Sequence, residues 1–558
     1  MTTSPNFKHL CCELVEDYYG DFYRTIFECL ASARFTAPQV AQKCHLPLRQ
    51  ARAGLAGLVQ LRLVYHHTPR DAATVYSANL TNAYDIIRTG RLAQEAARTH
   101  GDLAATIVAT ACELGFSTIN ELRDRVLLGM DSDEDSKDAS TVDKLISKLL
   151  DDHFLAHLRK AHFGEVHDVR REIELKLLSP AAIAKLTGTK AKQEHQENIN
   201  RNYDSVVTTS TSEHGYTNGH YLQSHRQQNG NGMEGVIMNG HHTKASTLIQ
   251  PNFYKIVEIA QIEVVGDQAR KTFGKRGATI LKCAIRQAAV PDIWSKPPPS
   301  EMPSHQINAY KLLEEVNDEQ QREEGRYMSH TNGTLINGNG NHHNSESAPE
   351  VSMDDLENEL MLLTESVFHS WLEDVGRSTY QVHKGPLGLW TRTEEILRIL
   401  DSRLDPPAPR VLRILIDKGK LEERTLQEIG LLGAKELRQS LSMLKQMGYL
   451  ELQEVPRNPA RQPNQTVFLW SYEQGRVATL TLEHIYTAMV RLLQLLKLER
   501  KKLAGTLTKI EREDVKGKEE EMLAPGEFIV LSRFRRVESW VWGEIQRLDF
   551  SVAILRDI

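Results

Sequence analysis

Residues 408–472 read APRVLRILIDKGKLEERTLQEIGLLGAKELRQSLSMLKQMGYLELQEVPRNPARQPNQTVFLWSY. Val411, Ile414 and Leu415 share one face of a first helix, and Leu426 and Ile429 one face of a second, shorter helix, because residues three or four apart lie on the same side of an α-helix. Leu437, Leu441 and Leu444 follow at i, i+4, i+7 and form the inner face of a third. Gly448 comes next, where the chain needs a residue that tolerates positive φ. Leu450 and Leu452, then Val467 and Leu469, belong to two β-prone runs. Pro456, Pro459 and Pro463 lie between them and forbid a regular strand there.

Three short helices and a two-stranded hairpin are the order of a winged helix. In a DNA-reading helix-turn-helix the third helix meets the major groove, and here it exposes Arg438, Gln439, Ser442 and Lys445. The commoner use of such a face is solvation or docking on protein, because fold alone does not fix function.

A second copy lies near the N-terminus. Phe22, Ile26 and Leu30 mark one helix, residues 36–46 a second, and Leu48, Ala51, Leu55 and Leu58 the inner face of a third. That helix runs into a strand at residues 63–65, and after the loop TPRDAAT a second strand holds Val75 and Tyr76. Arg49, Gln50 and Arg52 are the exposed residues at the start of the third helix. Two such units at opposite ends of one chain make a pattern.

Residues 102–179 read as a module of related design. Leu103, Ile107 and Ala111 set one helix, Val142, Leu145 and Leu149 another, and a strand begins near Phe154. REIELKLL, residues 171–178, alternates Ile173, Leu175 and Leu177, the pattern of a returning strand. The acidic run MDSDEDSKD lacks the glycine and later glutamate of a calcium loop and reads as a solvated loop.

Composition changes abruptly at residues 190–246, which are rich in Asn, Gly, His, Gln, Ser and Thr, and again around His330–Asn344. Such tracts bury too little apolar surface to offset ordering entropy, so disorder is expected. The pairs His241/His242 and His342/His343 lack cysteine or spaced carboxylate neighbours, and incidental composition explains them better than metal binding.

Between the tracts, Arg270, Lys271, Lys275, Arg276, Lys282 and Arg286 make the densest basic patch of the chain. GKRG within it suggests a turn between two helices that meets phosphate through side chains and backbone amides. A basic surface matched to an acidic partner protein is the equal alternative. Further along, Leu482, Ile485, Met489, Leu492 and Leu496 alternate three- and four-residue spacings, a heptad seam. After a break at APG, a second helix carries Phe534, Val537, Val541, Ile545 and Leu548, so an intramolecular antiparallel hairpin is expected.

The whole has 558 residues, which predicts roughly three to five domains. A net charge of −6 restricts any nucleic-acid contact to local patches. Six cysteines without CxxC spacing read as reduced thiols of an intracellular protein. No stretch is apolar enough to span a bilayer and the N-terminus has no signal-peptide core. Phosphate-binding loops, nucleophile elbows and zinc-protease motifs are missing, and no metal or cofactor set can be picked out, which argues against an enzyme.

Three stretches carry a resemblance. VEDYYGDFYRTIFECLASARFTAPQVAQKCHLPLRQARAGLAGLVQLRLVYHH, QPNFYKIVEIAQIEVVGDQARKTFG and LRILIDKGKLEERTLQEIGLLGAKELRQSLSMLKQMGYLELQEVPRNPARQPNQTVFLW are similar to the large winged-helix subunit of RNA polymerase III, of fungal type. That family is related to the alpha subunit of the general transcription factor TFIIE. The resemblance spans nearly the whole chain except the two low-complexity tracts. It implies four tandem winged helices, mainly α with small β-hairpins, and a C-terminal coiled-coil hairpin. It further implies docking on the polymerase clamp with two smaller subunits, and a nuclear role in promoter opening and initiation at transfer RNA, 5S ribosomal RNA and other small RNA genes. No catalytic residue, metal or cofactor is carried over.

The expected boundaries are 8–90 and 100–185 for the first two modules, with a disordered insertion at 190–246. The third spans 247–300 and 350–383, split by a linker and disordered insertion at 301–349. The fourth is 385–475 and the hairpin 476–558. Arg270, Lys271, Lys275 and Arg276 are the expected DNA contacts, with Arg457 and Arg461 of the fourth wing as weaker ones. The rival readings are a stand-alone helix-turn-helix regulator and a purely protein-binding winged-helix scaffold.

Overall fold

The computed structural model describes residues 4–69, 73–129, 139–178, 188–207, 236–238, 241–243, 248–288, 304–331, 351–366, 368, 370–456, 466–512, 515 and 517–558. It is mainly helical with small antiparallel sheets, and it divides into two compact units. The first unit comprises Met1–Ile256, Val290–Lys296 and Ile485–Asp549, and the second Val257–Ala289, Pro297–His484 and Phe550–Ile558.

In the first unit α1 (Pro5–Tyr19) precedes a module of α2 (Asp21–Ser32), β1 (Phe35–Thr36), α3 (Ala37–Lys43), α4 (Leu48–Gln60), β2 (Val64–His67) and β3 (Val75–Ala78). Thr36 and Gln39 form a capping box that starts α3. Ala51, Leu55 and Leu58 of α4 are buried as expected, whereas Leu48 and Phe22 are exposed. The sheet runs β1-β3-β2, with Phe35 opposite Tyr76 and Val64 opposite Ala78.

Helices α5 (Leu80–Asp85) and α6 (Thr89–His100) lead to a module with the same order: α7 (Asp102–Leu114), β4 (Ser117–Thr118), α8 (Ile119–Gly129), α9 (Ala139–Asp151) and β5 (Leu155–Leu158). The expected returning strand is here corrected. Residues 171–178 belong to α10 (Val166–Leu177), a helix that buries Ile173 and leaves Leu175 and Leu177 exposed. Between the apolar residues stand Arg, Glu and Lys, good helix formers, and Glu172 pairs with Lys176 one turn on at 3.0 Å.

The expected disorder of 190–246 is corrected in part as well. Helix α11 (Thr189–Val207) packs Tyr203 against Ile173, with Arg170 over the Tyr203 ring at 4.8 Å, and β6 (Val236–Met238) pairs with β7 (His241–Thr243). The true closing strand is β8 (Leu248–Pro251), which pairs with both β4 and β5. The low-complexity tract is thus an insertion in the wing of the second module, and that module extends beyond residue 185 to Pro251.

In the third module α12 (Tyr254–Gln287) is followed by β9 (Ser304–Asn308), α13 (Ala309–Thr331), α14 (Met353–Thr364), β10 (Leu372–Gly376) and β11 (Thr379–His383). The sheet order is again first strand, last strand, middle strand. Residues 301–349 were expected to be a linker and insertion, yet they supply β9 and α13, whose Ala309, Leu312 and Val316 are fully buried. That narrow apolar stripe is masked in sequence by the acidic residues around it. The third helix ends at Thr364. The core gathers Leu281, Leu312, Leu356, Leu360 and Val382 around Phe368 and Trp371, whose rings lie 5.5 Å apart.

After α15 (Lys384–Asp401) comes the fourth module: α16 (Pro407–Lys418), α17 (Glu423–Gly430), α18 (Ala434–Gln446), β12 (Glu451–Pro456) and β13 (Thr466–Ser471). Leu421 bridges Trp470 and so stands in for the short first strand. Leu437, Leu441 and Leu444 are buried, but Ile429, expected inside, is exposed. Gly448 has φ of 80°, as the turn requires.

Helices α19 (Gln474–Lys502), α20 (Ala504–Ile510), α21 (Glu519–Met522) and α22 (Pro525–Val552) end the chain. Arg500 pairs with Glu538 and Lys509 with Glu527, an antiparallel sense. The loop MDSDEDSKD, the pair His342/His343, and Arg457 and Arg461 lie outside the described residues.

Candidate nucleic-acid interface

The basic patch sits on α12, which is interrupted at Gly274, with φ of 75° and ψ of −165°. Lys282 lies against Gly266, so closely that a Cβ on Gly266 would collide with its Cε. These two residues flank Gly274 by eight positions each. A straight helix would hold them ~24 Å apart, so the chain doubles back at Gly274 into a helical hairpin. Val265 and Ala269 on one arm, and Ala278 and Leu281 on the other, are buried. Burial of those faces turns Arg270, Lys271 and Lys275 outward around the tip.

Other cations of the patch pair with carboxylates. Arg276 lies 2.9 Å from Glu359 and 3.5 Å from Asp355 on α14. Hydrogen bonding from Ser352, then the Arg276 charge, holds the Asp355 carboxyl below its usual range. Burial pushes the Glu359 carboxyl up against the opposing pull of Arg276. Arg286 pairs with Glu319 at 3.3 Å. Lys271 has a carboxylate within its electrostatic reach, since burial raises Glu394 while Arg413 and Lys271 pull it back. Of the six cations read from sequence, Arg270, Lys271 and Lys275 are exposed around the tip, Arg276 and Arg286 pair with carboxylates of other helices, and Lys282 packs on Gly266.

The recognition-helix residues are exposed as expected: Arg49 and Arg52 on α4, Arg438 and Lys445 on α18. Arg438, however, reaches back to Glu423 at 2.6 Å, which ties its guanidinium to the second helix of its own module.

The C-terminal helices hold a different kind of site. Ile485, Met489 and Leu496 are buried, while Leu482 and Leu492 are half-buried. Tyr486, Val490 and Leu493 are buried in addition. The wider stripe arises because this helix also packs on α1: the Tyr486 and Phe7 rings lie 5.0 Å apart, and Lys497 and Arg500 pair with Glu16 and Asp17. A heptad seam facing a single partner helix is corrected accordingly. On α22, Val541 and Ile545 are buried and Val537 and Leu548 half-buried. Asp549 is fully buried, accepting from Tyr84 at 2.8 Å and from Arg88 at 3.0 Å, while Arg88 also reaches Asp85 at 3.1 Å. No signal in the sequence marked this cluster.

All six cysteines are free thiols, and burial pushes Cys12, Cys112 and Cys283 up to about 12. Among the described residues no group of His, Cys, Asp and Glu is arranged to hold a metal, and no helix is long and apolar enough to cross a membrane.

Residues 9–68, which cover the first module through its third helix and into its hairpin, match the family model described as the RNA polymerase III subunit RPC82 helix-turn-helix domain. Residues 396–472, the fourth module, match that of the POLR3C C-terminal winged-helix domain. The similarity extends from end to end. DNA-directed RNA polymerase III subunit rpc3 of Ajellomyces capsulatus is 28% identical over 98% of this chain and 99% of its own. The proteins of the same name from Aspergillus fumigatus and Aspergillus niger are 27% and 28% identical, over the full length of both chains in each case. The chain is thus similar from end to end to the rpc3 subunits of RNA polymerase III. Each of these relatives is named as a subunit of DNA-directed RNA polymerase III.

Proposed function

We propose that this chain docks on the clamp of nuclear RNA polymerase III beside two smaller subunits and supports promoter opening. It thereby serves initiation at transfer RNA, 5S ribosomal RNA and other small RNA genes. The observation that carries this reading is a fourfold repeat of one module order in a chain similar over its full length to rpc3 subunits. Exposed residues on the third helices, such as Arg49, Arg52, Arg438 and Lys445, give the chain several surfaces for gripping other molecules. Arg270, Lys271 and Lys275 contact DNA phosphate near the melted region, where lysine and arginine give affinity without base reading. Arg49, Arg52 and Lys445 are second-rank contacts. Base reading by the fourth module is not favoured, since Arg438 is bound to Glu423. Arg457 and Arg461 stay as candidates from sequence alone.

A transcription assay tests the reading. Polymerase stripped of this subunit is given closed duplex templates and the same promoters with a pre-opened bubble. We expect loss of transcription on closed templates, activity on bubbles, and recovery on closed templates when the chain is added back. Equal activity on both templates contradicts a role in opening.

A further inference from the structure

The third helices of the four modules differ in charge. Helix α4 carries Arg49 and Arg52 with no acid, α9 balances Lys144 and Lys148 against Asp143 and Asp151, and α18 sets Lys435, Arg438 and Lys445 against Glu436. Helix α14 reverses this: Asp354, Asp355, Glu357 and Glu359 stand there with no lysine or arginine. Asp355 and Glu359 lie on the side held by Arg276. The outward side steps through Asp354, Asn358, Met361 and Glu365, all exposed and at i, i+4, i+7, i+11. Beside it Met361 is 54% and Leu362 56% exposed.

The wing continues the same character. Glu373, Asp374 and Val375 of β10 are exposed, Val375 by 51%. Ser378 at the wing tip donates to Glu357 of α14, which fixes wing and helix as one surface. Arg377 is the cation at that tip. Elsewhere on the chain an outward third helix could meet phosphate. This one repels it, because like charges placed face to face oppose binding and set specificity. Its exposed apolar side chains have nothing to offer a nucleic-acid backbone, and contiguous exposed apolar residues with a polar rim mark protein contacts. The adjoining segments of this chain, residues 289–303 and 332–350, hold Lys296 as their one basic residue other than histidine, so they lack the complementary charge.

We propose that the third helix and wing of the third module dock a basic polypeptide segment of another protein chain, one that presents lysine or arginine around an apolar side chain. Asp354, Glu365 and Asp374 receive its charges, while Met361, Leu362 and Val375 take its apolar residue, with Met361 flexible enough to adapt to its shape. The proposal rests on the chain working inside the polymerase. It assigns the third helix and wing of the third module to protein docking and leaves DNA to the Gly274 hairpin of that module and to the basic third helices.

The test places p-benzoylphenylalanine in place of Leu362 in the full chain and purifies the polymerase through a tag on that chain. Irradiation is followed by mass spectrometry of the crosslinked peptides. The expected product is a crosslink to a segment of another subunit in which Lys and Arg outnumber Asp and Glu. That crosslink disappears in the doubly substituted chain Asp354→Lys, Glu365→Lys, which still brings down the catalytic subunits. A crosslink to nucleic acid, one to an acidic or neutral segment, or none at all overturns the proposal. Absence of polymerase from the preparation before irradiation is a separate result, and it overturns the functional reading itself.

Discussion

At the tip of the helical hairpin, Lys271 and Lys275 are exposed whereas Arg276 is half-buried. All three are cations within six residues, but Arg276 is clamped by Asp355 and Glu359. A phosphate there must compete with carboxylates already in place. Reversing Lys271 and Lys275 to Glu is therefore expected to weaken binding to single-stranded or bubble DNA and to lower the salt slope by about one for each phosphate no longer neutralised. Arg276→Ala should leave that slope unchanged. Mobility shifts across a salt series read both, and an equal weakening in the two variants contradicts the division of roles. Asp549 presents the opposite situation, a carboxylate with no exposure and two donors. Removing one member of a buried pair strands the other, at a cost of about 3–5 kcal/mol. Asp549→Ala is expected to lower the stability of the first unit by that order in denaturant titration, and a change under about 1 kcal/mol would show that water replaces the carboxylate.

Among the elements, Gly274 makes the basic tip possible. Its φ of 75° with ψ of −165° lies in a region that only glycine occupies at low cost. Nothing stands within 4 Å of where a Cβ would go, so any penalty is conformational and not steric. Gly274→Ala is expected to destabilise the third module by about 1–3 kcal/mol, read as a lower denaturant midpoint with unchanged slope. A neutral substitution would mean the turn is not held in this geometry. The same scale shows what was legible in the sequence. Stripes of three or four apolar residues gave α4 and α18 correctly, since those helices bury one face in their own module. Helix α10 was misread because Ile173, Leu175 and Leu177 alternate while only Ile173 is buried. Strand β8 could not be assigned from spacing, because its partner β5 ends ninety residues earlier across an insertion. Helix α13 hides a three-residue core stripe in acidic sequence.

For the whole molecule, the repeat counted for more than any single motif. One winged helix is compatible with reading DNA, gripping protein or neither. Four units of one strand order, with third helices ranging from basic α4 to acidic α14, suit a subunit that touches several different surfaces at once. The candidate DNA-binding residues were legible as charge clusters, but not their pairing, since Asp355 and Glu359 approach Arg276 only through the packing of α14 on the hairpin. The buried cluster at Asp549 joins residues more than 450 positions apart and left no local trace. The seam of α19 was likewise read as the face of a two-helix hairpin because the sequence does not announce that α1 lies against it.

Everything proposed for these surfaces requires that the chain be a working part of RNA polymerase III. Affinity purification of the tagged full-length chain from nuclear extract, followed by mass spectrometry, tests this without intermediaries. The expected result is recovery of the catalytic subunits and two smaller partners in amounts comparable to the tagged chain. Recovery of the chain alone, or with proteins unrelated to that polymerase, contradicts it.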